Sequence, residues 1–128
     1  MTNDIRLLDC TFRDGGYYNN WNFDEKVIQK YLFDLKKLNI NFVELGFRTL
    51  EKLKIKGKTG YTTDKFIKSF KIPGGLNIGV MINASDLLEN KDILKNCKKL
   101  FPTKNPKINF VRLACHLHEV YPVSSTHL

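Results

Sequence analysis

One stretch near the amino terminus, residues 7–16, reads Leu7-Leu8-Asp9-Cys10-Thr11-Phe12-Arg13-Asp14-Gly15-Gly16. Its apolar start is typical of a short buried strand. The Arg13-Asp14 pair then places a permanent cation beside a carboxylate that can bind a metal, and two glycines let the chain turn away. Sites in α/β folds are built at the ends of strands, which makes the pair a candidate site. A surface ion pair before a glycine turn is the alternative interpretation.

The rest of the chain alternates predicted strands and helices. Apolar runs predict four strands, over residues 5–10, 41–47, 76–82 and 108–115. Three helices are predicted to begin at the capping residues Asn22, Thr63 and Ser85 and to end near residues 38, 70 and 100. Residues 15–21 are rich in turn formers and predict a loop. This alternation is typical of a parallel sheet covered by helices, the α/β class.

The number of units limits the architecture. Four strands and about three helices fit part of a TIM (β/α)8 barrel or, alternatively, a small doubly wound parallel sheet. A complete barrel needs roughly 250 residues, whereas this chain has 128. We therefore predict the N-terminal half of a barrel over residues 1–120. The irregular residues 121–128 then form a tail, as truncation or a change of reading frame would produce.

Composition excludes some classes of protein. No apolar run is long enough to cross a membrane, and the amino terminus lacks the features of a signal peptide. Three widely spaced cysteines, an odd number, indicate reduced thiols and a cytoplasmic protein. The net charge of +8 suits an anionic substrate and also raises a basic nucleic-acid-binding domain as a hypothesis. No nucleic-acid-binding motif accompanies the charge, so that hypothesis is the least favoured.

Further charged residues lie on later strands. Glu44 stands among apolar residues of the second predicted strand, where an unpaired charge is costly to bury, so Arg13, Arg48 or a bound cation is expected beside it. On the fourth strand, alternation places Arg112 and His116 on one face, and both are candidate substrate-binding residues.

Two motifs resemble one enzyme family. The run from Asp9 to Tyr17, followed by Phe42-Val43-Glu44-Leu45-Gly46, resembles the N-terminal part of the HMG-CoA-lyase-like family, also called the pyruvate carboxyltransferase or DRE-TIM metallolyase family. The Gly16-Tyr17 continuation is similar to its aldolase branch, which includes 4-hydroxy-2-oxovalerate aldolases. Residues 81–83 and 111–114 resemble the third and fourth strands of that family. The resemblance extends to about residue 119 and covers the N-terminal half of such a barrel only.

The resemblance implies a lyase that acts through an enolate on a 2-oxo acid or an acyl thioester, with Mg²⁺ or Mn²⁺ as cofactor. In that family Arg13 would stabilise the enolate oxygen, Glu44 would hold Arg13 in place, and Asp14 would be a metal ligand. Each side chain suits its implied role chemically. Two departures accompany the resemblance. The chain stops before the late strand that carries the family's second pair of metal ligands, and no His follows Arg13-Asp14 in the next loop.

An inactive half-barrel is the alternative to a catalytic fragment. An open half-barrel exposes two strand edges and apolar faces, which promotes association with another chain. This hypothesis predicts a homo-oligomer or a complementing half-barrel as partner, whereas the enzyme hypothesis predicts a small-molecule partner.

Overall fold

Four strands form one parallel sheet. A computed structural model describes residues 5–51, 56–104 and 107–124. The strands are β1 (Leu8–Asp9), β2 (Phe42–Phe47), β3 (Asn77–Asn83) and β4 (Phe110–Ala114), and they lie side by side in chain order. The predicted α/β fold is confirmed. Consecutive parallel strands are adjacent in a (β/α)8 barrel, whereas a doubly wound sheet reverses its strand order, and these four strands show no reversal.

More helices connect the strands than the sequence predicted. The helices are α1 (Thr11–Asn19), α2 (Glu25–Lys37), α3 (Asp64–Lys68), α4 (Ala84–Leu88), α5 (Ile93–Leu100) and α6 (Val120–Ser124). Short 3-10 helices cover Lys58–Gly60, Glu89–Lys91 and Leu117–Glu119. Across the parts of the chain that the structure describes, no helix is long and apolar enough to span a membrane.

The main apolar core lies between the sheet and the helices α2 and α3. Val43, Leu45 and Ile78 of the sheet are buried there. The helices contribute Ile28, Leu32, Leu35, Phe66 and Ile67. Alternation along β2 therefore turns Glu44 to the opposite face of the sheet, away from this core. That second face becomes the interior when such a sheet closes into a barrel.

The predicted loop at residues 15–21 is wrong, because most of it belongs to α1. Gly15 and Gly16 disfavour a helix on propensity alone. Packing overrides that preference at Gly16, where a Cβ atom would collide with the indole ring of Trp21. The turn expected from this segment occurs later, at Asn20 and Trp21, which both have a left-handed backbone with φ of 57°.

The starts of β1 and α2 also differ from the prediction. The strand expected over residues 5–10 is limited to Leu8–Asp9, because the Asp9 carboxylate accepts a hydrogen bond from the Thr11 amide at 3.2 Å and turns the chain into α1. Helix α2 is capped by Asp24 rather than Asn22, and the Asp24 carboxylate accepts from the Lys26 amide at 2.7 Å. The predicted Thr63 cap of α3 is confirmed, with the Thr63 hydroxyl accepting from the Phe66 amide.

The single helix predicted from Ser85 to about residue 100 is broken in two. Asn90 and Lys91 have positive φ angles, and Asp92 starts α5 by accepting from the Lys95 amide. The buried Asn96 side chain donates to the carbonyl oxygens of Leu87 and Glu89, at 3.0 and 2.7 Å. These bonds satisfy acceptors that the break leaves without helical partners.

The tail predicted to be irregular is partly helical. Residues 121–124 continue α6, which follows the short 3-10 helix Leu117–Glu119. The Glu119 carboxylate accepts from the His116 amide at 2.8 Å and so fixes the start of this segment. The remainder of the predicted tail, residues 125–128, lies outside the described residues. The division of the chain at residue 120 stays a prediction.

Candidate active site

An arginine and a glutamate from neighbouring segments form the centre of the site. Helix α1 starts directly after β1, so Arg13 stands beside the end of the sheet, and Glu44 lies on β2, on the face opposite the core formed with α2 and α3. Arg13 Nε donates to Glu44 Oε1 at 2.6 Å. The Glu44 side chain is completely buried, and the Arg13 side chain is 15% exposed. The ion pair between Arg13 and Glu44, one of the expected arrangements, is therefore present.

A second arginine approaches the same carboxylate. Arg112 lies on β4, two strands away from Glu44, and its Nε atom is 3.4 Å from Glu44 Oε2. Its Nη1 atom lies 3.4 Å from Cys10 Sγ. Within the described residues, Glu44 Oε2 is buried without a hydrogen-bond partner. Arg13 also pairs with the exposed Asp14, so two guanidinium groups face two carboxylates, of which only Glu44 is buried.

Arg48, which was also an expected partner of Glu44, is used elsewhere. Arg48 is buried and donates to the carbonyl oxygen of Thr62, with Nη2 at 2.7 Å. It also donates to the carbonyl oxygen of Leu100 and to the carboxylate of Asp64. Arg48 thus ties the segment after β2 to α3 and α5, and its role is structural.

Charge and burial shift the protonation equilibria at the site. Burial alone would lower the pKa of Arg13, but the hydrogen bond and the charge of Glu44 outweigh it and raise that pKa above its usual value. Burial, assisted by the negative charge of Glu44, raises the pKa of the Cys10 thiol. A permanently charged Arg13 suits an oxyanion, whereas a protonated Cys10 is a poor nucleophile.

Two further contacts position Arg13, and sequence reasoning missed both. Trp21 Nε1 donates to the carbonyl oxygen of Arg13 at 3.0 Å, which ties the first turn of α1 to the turn that follows the helix. The Tyr31 hydroxyl donates to Asp9 Oδ2 at 3.0 Å and links α2 to the turn before α1. The Asp9-Cys10-Thr11 sequence carries a signal for that turn, since Asp carboxylates and Thr hydroxyls form hydrogen bonds with nearby backbone amides. Nothing in the sequence pattern marks Trp21.

Among the described residues, Asp14, the predicted metal ligand, has too few other ligand side chains near it to bind a metal ion. Asp14 is exposed and forms an ion pair with Arg13 Nη1. Over residues 5–51, 56–104 and 107–124, no group of three or more His, Cys, Asp or Glu side chains could hold a metal ion. A carboxylate is a suitable ligand for Mg²⁺ or Mn²⁺, but these cations take about six oxygen ligands. The described residues therefore do not by themselves fit a divalent metal.

His116 does not join the group of Arg13, Glu44 and Arg112. It follows β4, and its backbone amide donates to Glu119. Its ring stacks on His118, with ring centroids 5.7 Å apart. In the described part of the chain, His116 has no hydrogen bond or ion pair with Arg13, Glu44 or Arg112. A substrate-binding role for His116 stays a prediction.

One comparison with a solved structure supports an aldolase-like α/β fold. One solved structure, described as the "N-terminal domain of a putative aldolase" from Bacteroides vulgatus, matches this chain with a TM-score of 0.70 and 28% sequence identity. The match covers 93% of this chain and 38% of that chain. No protein-family model matches the sequence, and neither does any curated protein. This chain thus spans less than half the length of the solved chain it matches.

Proposed function

We propose that the chain is the N-terminal part of a divalent-metal-dependent aldolase of the HMG-CoA-lyase-like type. Its substrate class would be a 2-oxo acid or an acyl thioester that reacts through an enolate, as in 4-hydroxy-2-oxovalerate aldolases. The aldolase-like fold supports this proposal. The observation that carries it is the Arg13 guanidinium fixed by the wholly buried Glu44 at 2.6 Å.

The geometry suits a developing negative charge. Glu44 binds Arg13 through Nε, while the exposed Asp14 pairs with Nη1. A carboxylate that fixes an arginine in this way pre-organises a permanent cation, which is most effective at stabilising an oxyanion where water is excluded. Arg112, on the same face of the sheet, would bind the carboxylate of a 2-oxo acid because a guanidinium fork matches a carboxylate.

A metal ion would require ligands beyond the described residues. Asp14 would supply one oxygen ligand, and the other ligands would come from a further set of strand–helix units. When bound, the metal would add positive charge beside the reacting carbonyl oxygen. A complementing half-barrel would provide these units, and such a partner is part of the proposal.

The role of Arg13 is testable by its replacement with lysine. In a barrel completed by four further units, Arg13→Lys is expected to lower kcat by about 100-fold or more while changing KM little, since a point charge replaces an aimed fork. Steady-state kinetics of 2-oxo acid cleavage would measure this loss. Arg6→Lys, at an exposed position, serves as the matched control. A loss of metal affinity with an unchanged rate would contradict the proposed role.

The role of Asp14 is testable without measuring activity. Asp14→Asn removes the charge but keeps the shape, so the affinity of the completed barrel for Mn²⁺ is expected to fall by about tenfold or more. Calorimetric titration with Mn²⁺ would measure it. An Asp14→Asn variant that binds Mn²⁺ as tightly as the wild type would exclude Asp14 from the ligand set.

An association module without catalytic activity is the second candidate function. Leu7 and Leu8 are exposed at the β1 edge, and Val111 and Leu113 are exposed on β4 at the opposite edge. Apolar side chains at both edges favour association with another chain, either a second copy or a complementing half-barrel. Sedimentation of the chain alone tests this function. A monomer at all accessible concentrations would argue against self-association, and failure to bind a complementing half would argue against the other partner.

Two expectations from composition belong to this proposal as well. The described cysteines are free of disulfides, which agrees with a reducing compartment such as the cytoplasm. The basic charge is better matched to an anionic substrate than to nucleic acid, and absence of salt-dependent DNA binding would exclude the latter.

A further inference from the structure

A large cleft lies apart from the group of Arg13, Glu44 and Arg112. It has a volume of about 1030 Å³ and lies between the segment after β2, the start of α3 and the end of α5. Neither Arg13, Glu44 nor Arg112 contributes to its walls. Small-molecule sites have volumes of about 300–1000 Å³, so the cleft is large enough for a ligand the size of a nucleotide.

The charges that line the cleft do not balance. Among the described residues that line it, five are cationic and three are anionic. Three cation–anion pairs form within the lining: Arg48 with Asp64, Lys56 with Glu51, and Lys58 with Glu25. Lys65 and Lys99 remain, and neither forms an ion pair with a carboxylate of the described residues. The described lining residues therefore leave two positive charges uncompensated, which match a dianion.

The available donors favour a phosphate over a carboxylate. Arg48 is the lining residue with a guanidinium fork, the geometry that recognises carboxylates in bidentate fashion. Its nitrogens already donate to Thr62, Leu100 and Asp64. The cations left to bind a ligand are lysine ammonium groups, which act as point charges and commonly bind phosphate.

The floor of the cleft is apolar. Tyr61, Phe66, Leu100 and Pro102 all contribute to the lining beside the charged rim. An apolar floor under a cationic rim suits a ligand with a planar or apolar body attached to a charged group. We propose that this cleft binds an organic phosphate, with the phosphate between Lys65 and Lys99 and the body of the ligand on the apolar floor.

This site does not depend on the proposed aldolase chemistry, but it adjoins the segment that positions Arg13. Lys56, which lines the cleft, lies with its Nζ atom 5.4 Å from the centroid of the Trp21 ring. The Thr59 hydroxyl donates to the Trp21 carbonyl oxygen at 3.0 Å. Trp21 is the single tryptophan of the sequence, so its fluorescence reports on events in the adjoining cleft.

Titration of the full chain with ADP and with pyrophosphate tests the proposal at constant ionic strength. A saturable change in Trp21 fluorescence is expected with both probes, and ADP should bind more tightly because only ADP has a planar body. The double variant Lys65→Gln/Lys99→Gln is expected to weaken ADP binding by about tenfold, as two lost surface charge pairs predict. The double variant Lys71→Gln/Lys98→Gln is the matched control, since it removes the same charge at exposed positions outside the cleft.

The outcomes distinguish a built site from general charge attraction. Unchanged ADP affinity in the control, with weaker binding in the cleft variant, would support the site. Equal losses in both double variants would show that net charge alone attracts the probe, and would overturn the proposal. Equal affinities for ADP and pyrophosphate would overturn the assignment of the apolar floor. No saturable change at either probe, confirmed by calorimetry, would remove the site altogether.

Discussion

Replacement of Glu44 by glutamine tests the central ion pair through stability alone. Glu44 is wholly buried, and its Oε1 atom accepts a charge-assisted hydrogen bond from Arg13. Glutamine can keep that bond through its amide oxygen. Its NH2 group would then replace Oε2, which lies 3.4 Å from the Arg112 Nε atom, and would turn an attraction into a contact between two donors.

The expected cost follows from the exposure of the partners. Breaking a buried ion pair by removing one partner costs about 3–5 kcal/mol. Arg13 and Arg112 are 15% and 41% exposed, so water can compensate part of their charge. We therefore expect Glu44→Gln to lower the free energy of unfolding by about 2–3 kcal/mol, a large part of the ~5–15 kcal/mol that stabilises a typical domain.

Urea denaturation followed by circular dichroism measures this difference. The control is Glu25→Gln, which removes the same charge from the surface ion pair with Lys58 and should cost less than about 1 kcal/mol. An unchanged urea midpoint for Glu44→Gln would refute the reasoning, because it would mean that neither arginine depends on this carboxylate. Equal losses in the two variants would refute it as well.

Three other substitutions give further expectations. Gly46→Ala should destabilise the fold by about 3 kcal/mol or more, because the added Cβ would collide with the backbone carbonyl of Thr59, and urea midpoints would show it. Arg48→Lys should cost about 2–4 kcal/mol, since an ammonium group cannot reach all the buried acceptors of Arg48; equal stability would contradict the structural role. Burial raises the pKa of Asp86 above 3.8, so its contribution to stability is present below that pH and is lost as the pH rises through the folded-state pKa. The free energy of unfolding of Asp86→Asn, relative to that of the wild type, should therefore rise as the pH goes from acidic to neutral. A difference that stays constant across this pH range would contradict the prediction.

The regular parts of the fold could be predicted from local patterns. The strands β2, β3 and β4 lie within one or two residues of their predicted ends, because continuous apolar runs identify buried parallel strands. The Thr63 cap was predictable because a threonine hydroxyl before an apolar helix satisfies a free amide. The left-handed residue Asn39, with φ of 58°, lies just past the end of α2, as its side chain suggests.

Other local elements could not be predicted because distant residues decide them. Helix α1 contains two glycines, and it forms where Trp21 packs against Gly16 and Arg13 meets Glu44. The break before α5 depends on the Asn96 side chain, which satisfies the carbonyls at the break. Propensity describes single residues in isolation, whereas these contacts exist only after the elements have packed.

In the candidate site, too, some features could be predicted from the sequence and others were decided by the tertiary structure. The sequence by itself indicated a cation at the end of β1 and a carboxylate buried in β2, because a charge within an apolar strand needs a partner. It left open whether that partner was Arg13, Arg48 or a bound cation. Only the tertiary structure decided this, by binding Arg48 to Thr62 and Asp64 and by placing Arg13 on Glu44.

The sequence determined the class of fold, since strand and helix periods are local properties that survive without any tertiary contact. The order of the strands across the sheet, the approach of Arg112 to Glu44, and the cleft lined by Lys65 and Lys99 were decided by the tertiary structure. Each of these joins residues separated by tens of positions in the chain. Their distances depend on how β-strands and helices pack, which no local pattern records.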